Sequence, residues 1–184
     1  MLRRAKKSSD RGVNSVEFAL VLTIILGPLL FGIMDMTRAL YAYHFVSNAA
    51  REACRYAQVR GATFSAKGAC ATTTAYTCDA TAANITSYVQ SIVPLGIQVS
   101  STSTPAACPA AAPTSAGTLS VCTSWPGTAI TGTSGACSSN SPGNNPGCPV
   151  EIQVQYLYKF TLPFISTELG SIDLQSTSQM VMQQ

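Results

Sequence analysis

The sequence predicts an α+β protein: a long N-terminal helix, membrane-spanning in its first half, packs against a small antiparallel sheet carrying a disulfide-stapled loop insertion. Three observations lead there. Phe18 to Met34 is uncharged and apolar, and helical spacing continues beyond it with no Gly or Pro before Gly61. "VEIQVQYLYKF", residues 150–160, alternates apolar and polar residues with the period of a strand. Six cysteines are scattered through sequence rich in Pro, Gly, Ser and Thr.

The chain has 184 residues and a formal charge of +3, unevenly placed. Arg3, Arg4, Lys6, Lys7 and Arg11 face Asp10 alone, so the first eleven residues carry +4 and the remainder −1. A basic tip beside a greasy segment sets membrane orientation by staying in the cytoplasm, and lacking aromatics it does not point to nucleic acid. With Val13 to Glu17 added, the apolar run reaches the ~20 residues that a helix needs to cross a bilayer. A buried soluble helix fits the flanking charges poorly. A cleaved secretory signal would need a shorter apolar core and a small-x-small site, and "MDMTRA", residues 34–39, offers only Thr-x-Ala interrupted by Arg38. The segment is therefore expected to be retained.

Beyond Met34 one row of residues, Met36, Leu40, Tyr43, Ser47, Ala50, Cys54 and Ala57, recurs at alternating steps of four and three. A second row, Ala39, Tyr43, Val46, Ala50, Ala53 and Ala57, widens the stripe into one helix face. Gly61 is the stop signal. An unbroken helix from Val13 to Arg60 would be ~70 Å long, with a bend expected at Gly27-Pro28. His44, the single histidine, has no catalytic partner beside it and reads as a polar or packing residue. Cys54 lies on the small-residue face and reads as a buried free thiol.

The composition changes after Gly61: no Lys, Arg, Asp or Glu occurs between Asp79 and Glu151. "DATAANITSYVQSIV", residues 79–93, predicts a short helix with Ala82, Ile85, Val89 and Ile92 on one side and Asp79 or Thr81 as its cap. Asn84-Ile85-Thr86 matches a glycosylation sequon of little weight. "GIQVSS" and "TLSVCTS" predict short strands, and "SIDLQSTSQMVM" a further one after Pro163. Residues 102–149 read as loops, in which Trp125 is a packing residue or an exposed sugar-contacting ring. Cys70, Cys78, Cys108, Cys122, Cys137 and Cys148 have no C-x-x-C spacing, so disulfides in an oxidising compartment are expected and a metal site is not. The neighbouring pairs Cys70–Cys78 and Cys137–Cys148 are favoured, although spacing does not decide the pairing. The domain plan is a basic tip at 1–12, a spanning half-helix at 13–34, an extracytoplasmic half-helix at 35–61 and a head at 62–184.

The N-terminal third resembles a known family. Basic tip, Gly12, then Glu17-Phe18 and an apolar helix look like type IV prepilins. The continuation through Asp35 to Arg38 and Asn48-Ala49-Ala50-Arg51-Glu52 resembles more narrowly the TadE-like minor pilins, or pseudopilins, of the bacterial tight-adherence (Flp) pilus. The resemblance covers roughly Arg11 to Gly61, and Pro28 sits later than such helices usually place it. It implies cutting by a prepilin peptidase between Gly12 and Val13, where glycine leaves the backbone open to the protease. Glu17 would become the fifth mature residue, set to meet the new terminal amine of a neighbouring subunit; an interfacial Glu that snorkels to headgroups is the plainer alternative. The implied partners are the peptidase, other pilins and pseudopilins in a hetero-oligomer, and inner-membrane lipid. The head would lie outside the membrane, with the protein in the pilus or at its base. No cofactor and no enzymatic activity are expected: the chain has one His, few carboxylates and no glycine-rich phosphate loop. The rival readings are an uncleaved single-span adhesin or binding protein and a membrane-tethered hydrolase.

Overall fold

The computed structural model describes residues 11–61, 64, 80–105, 108–127, 137, 145–161 and 170–183, with side chains from residue 15 onward. Six elements follow in order: α1 (Arg11–Gln58), α2 (Ala82–Ser91), β1 (Ser101–Ser103), β2 (Thr118–Ser124), β3 (Pro149–Lys159) and β4 (Ser171–Val181). The chain divides into two compact units, Met1–Arg38 and Ala39–Gln184.

Within the second unit the C-terminal part of α1 buries Ala39, Ala42, Val46, Ala49, Ala50, Ala53, Cys54 and Ala57 in one cluster with Ile85 and Val89 of α2 and Val121, Ile152 and Val154 of the sheet. Small side chains let the helix backbone come close to the strands, which is why alanines dominate this face. The Cys54 thiol donates to the Ser178 carbonyl of β4 at 3.1 Å. Tyr56 stacks on Tyr88 of α2 with ring centroids 4.4 Å apart, and Arg60 lies 4.3 Å over the Tyr56 ring. The second row of the sequence stripe is thus the buried one, apart from Tyr43. In the first row Met36, Leu40 and Tyr43 are 62%, 56% and 49% exposed, and only Ala50, Cys54 and Ala57 are buried. The head selects the small residues because a large side chain would hold α1 off the sheet.

The sheet runs β1-β2-β3-β4. β2, β3 and β4 are antiparallel neighbours as expected, whereas β1 lies parallel to β2, so the sheet is mixed. A parallel pair needs a crossover rather than a hairpin, and residues 104–117 supply it. "GIQVSS" departs from its expectation: residues 97–99 form no strand, and β1 begins only at Ser101. A turn at Gly96 (φ 100°) redirects the chain, and the Gln98 carbonyl is taken by the Tyr156 hydroxyl at 2.8 Å instead of a ladder. Gly117 (φ 75°) closes the crossover, where a Cβ would lie 3.0 Å from Ser100 Oγ.

β3 is buried on both faces. Val150, Ile152, Val154 and Tyr156 join the helix cluster, while Gln153 and Gln155 on the other face are buried beneath the crossover. Ala110 N–H donates to Gln153 Oε1 at 2.8 Å, and Gln155 Nε2 donates to the Ala110 carbonyl at 3.1 Å. Both glutamines also donate to Gln175 Oε1 of β4 at 3.3 Å. The polar residues of the alternating pattern are thus buried amides bonded to the crossover and to β4, with Gln155 Oε1 alone of their polar atoms left without a partner among the described residues. α2 keeps its cap: the Thr81 side chain accepts from Asn84 N–H. Trp125 is buried and therefore packs. In the sequon, Thr86 is buried and its hydroxyl donates to the Ala82 carbonyl.

Two disulfides staple the head, Cys108–Cys122 and Cys137–Cys148. Cys70 and Cys78 lie outside the described residues, as do the first ten residues with their basic charges. Cys54 is free and buried.

Candidate functional site

The N-terminal part of α1 holds the residues to which the sequence assigns a task. Arg11, Gly12 and Val13 are already helical, and Glu17 and Phe18 are exposed on the same helix. Every large apolar side chain from Val16 to Met34, among them Leu20, Ile24, Leu29 and Phe31, is exposed with respect to the described residues. One window of this helix combines a mean hydropathy of 2.3 with no burial inside the protein, so α1 is long and apolar enough to span a membrane. Its polar groups fit that solvent. Thr23 donates its hydroxyl to the Ala19 carbonyl and Thr37 to the Ile33 carbonyl, each at 2.8 Å, so neither hydroxyl is left unpaired in hydrocarbon. Pro28 sits inside α1, which continues through it. Its missing N–H leaves one carbonyl of the preceding turn without a helical partner.

Glu17 is then the one ionisable group between Ser15 and Met34. It shares a helix face with Val13, four residues before it. Removal of residues 1–12 would bring Glu17 to the first turns of the shortened helix. There the unpaired N–H groups and the macrodipole favour an anion. The structure places Gly12, Val13, Glu17 and Phe18 on one continuous element and gathers no further group around them among the described residues. Asp35, at the far end of the apolar run, is buried, a feature that hydropathy does not signal.

Elsewhere the described residues bring together no set of three or more His, Cys, Asp or Glu able to hold a metal ion. His44 is exposed and makes an edge contact with Tyr43, ring centroids 6.0 Å apart. The disulfides and the glutamine network hold the head together and present no reactive group. What the chain offers is an uncovered apolar helix with one acid near its start, joined in sequence to a stapled α+β head.

No curated protein and no solved structure matches the chain. The family model described as TadE-like protein matches residues 12–55, a segment that starts at Gly12 and ends within the buried part of α1. Over residues 12–55 the chain is therefore similar to TadE-like proteins.

Proposed function

We propose that the protein is a minor pilin or pseudopilin that takes part in assembling a tight-adherence pilus. α1 anchors it in the inner membrane of a bacterium, the basic tip stays in the cytoplasm and the stapled head lies outside. A prepilin peptidase cuts between Gly12 and Val13, and Glu17 then meets the terminal amine of a neighbouring subunit. The single observation that carries this reading is the TadE-like match on an apolar helix that nothing among the described residues covers.

The physical chemistry supports each step. Five positive charges before Gly12 hold the tip on the cytoplasmic side. Disulfides persist in an oxidising compartment, which suits a head outside the cytoplasm. Because Gly12 and Val13 are helical, the peptidase must unwind the first turn of α1 to thread it. A helix end frays readily, and glycine weakens it further. A carboxylate in hydrocarbon costs ~2.5–3.5 kcal/mol at mid-bilayer, less near the interface, and an ammonium partner offsets part of that.

Intact mass of the protein recovered from membranes of the native host tests the cut. The expected species begins at Val13, and Gly12→Leu protein retains its leader while still inserting. A wild-type protein of full mass would instead favour an uncleaved single-span adhesin.

A further inference from the structure

Among the described residues the sheet ends on a strand whose outer edge is unpaired. β4 is last in the strand order and, among the described residues, pairs with β3 alone, in an unslipped register from Pro149–Val181 to Lys159–Ser171. Hydrogen bonds just past this ladder show which way each backbone group points. Met182 donates its N–H to the Cys148 carbonyl and accepts from Gly147 N–H, so Met182 faces β3. Direction alternates along an antiparallel strand. Ser178, Ser176 and Leu174 therefore face β3, and the odd-numbered residues from Ser171 to Val181 aim N–H and C=O outward. Gln183 N–H, pointing the same way, reaches the Gln58 carbonyl at the end of α1. Before it, no described residue supplies a partner on that side.

Such an edge is a template for another chain, and proteins usually blunt it with Pro, several charges, a bulge, a short strand or a covering segment. The opposite edge, β1, is only three residues long. β4 has eleven residues, no Pro, no Lys and no bulge. Its single charge is Asp173, which sits across from Leu157 on β3 and has no ion-pair partner among the described residues. Its side chain is exposed, and partial desolvation at the sheet surface pushes its carboxyl above the usual range. A second copy of β4 added antiparallel about Ser176 would set Gln179 opposite Asp173 and still leave the acid without a cation.

We propose that the open edge of β4 receives an extended segment of a different protein, added as a further strand, with a Lys or Arg opposite Asp173. The backbone ladder supplies affinity in such strand addition, and the side chains at alternate positions supply selectivity. This inference rests on the sheet alone and stands whether or not the chain is a pilus component.

The test uses the full-length protein in detergent micelles and fluorescent synthetic peptides of alternating Thr and Val, with either Lys or Glu at the centre. The Lys peptide is expected to bind at least about tenfold more tightly than the Glu peptide, and Asp173→Lys is expected to reverse that order. Thr177→Pro removes an N–H that points outward, so the β3–β4 ladder keeps its bonds while binding of both peptides is lost. Continued protection of Cys54 from alkylation reports that this variant is folded; if it is not, the Asp173→Lys reversal decides alone. Equal binding of the two peptides would overturn the proposal, as would wild-type affinity in folded Thr177→Pro. So would self-association of the wild type that Thr177→Pro abolishes, since that makes a second copy the occupant.

Discussion

Cys54 differs from the four cysteines in the two disulfides because α1 presses its thiol against β4. Burial pushes the thiol above its ordinary value of 9.0, and the Ser178 side chain and the Ile152 backbone, which favour the thiolate, only partly oppose this. An acid whose folded value is raised loses its proton first in the unfolded chain. The stability it contributes is therefore whole below about pH 9 and falls as pH rises further. Urea midpoints at pH 8 and pH 10 are expected to drop more for the wild type than for Cys54→Ala, by up to about 1.4 kcal/mol per pH unit. An identical drop in both would remove the burial argument. Glu17 is the other residue to which the proposed function gives a task. Glu17→Gln keeps shape and hydrogen bonding, so the proposed cut at Gly12–Val13 should proceed. The amide cannot neutralise an ammonium in a low-dielectric setting, so co-purification with partner pilins and surface attachment should both fall. Normal co-purification of the processed variant would leave Glu17 as an interfacial acid only.

At the scale of elements, what could be read from sequence depended on whether a pattern had one physical cause. β2, β3 and β4 were legible because alternation over seven to eleven residues has few causes besides a strand with two unlike faces. α1 was legible as a helix, but not in its choice of face. Both rows on it obey helical spacing, and the row that packs is selected by how near the helix must come to the sheet. Periodicity does not record that distance. Gln153 and Gln155 have a related history: their alternation marks a strand, and nothing in that pattern shows that a crossover covers their face. The residues at the proposed cut were readable from local order along the chain, whereas the open edge of β4 depends on strand order. Close packing on α1 gives a direct test. Ala53→Leu should force the helix from the sheet and cost about 1–3 kcal/mol, while Leu40→Ala, on the exposed side, should stay within about 0.5 kcal/mol. Denaturant melts in the same detergent compare the two, and equal losses would mean that the buried row is misassigned.

For the molecule as a whole, the parallel placement of β1 obliges the chain to cross the sheet, and the Cys108–Cys122 disulfide pins that crossing. Cys122 lies beside Gln153 in the β2–β3 register, so the disulfide and the glutamine contacts to Ala110 act on one strap from one face of the sheet. The sequence separation of 14 residues corresponds to a loop whose closure contributes about 3 kcal/mol. The amide bonds are weaker, each about 1 kcal/mol net, and water can replace them once the strap lifts. Removing the disulfide should therefore do more than lower global stability. Cys108→Ala/Cys122→Ala protein should lose hydrogen-exchange protection at the Ala110 amide under conditions where the amides of β3 remain protected. Cys137→Ala/Cys148→Ala, which leaves the strap pinned, should retain the Ala110 protection even if its melting temperature also falls. Unchanged Ala110 exchange in the first variant would show that the two glutamines hold the crossover by themselves, leaving the disulfide a global stabiliser alone.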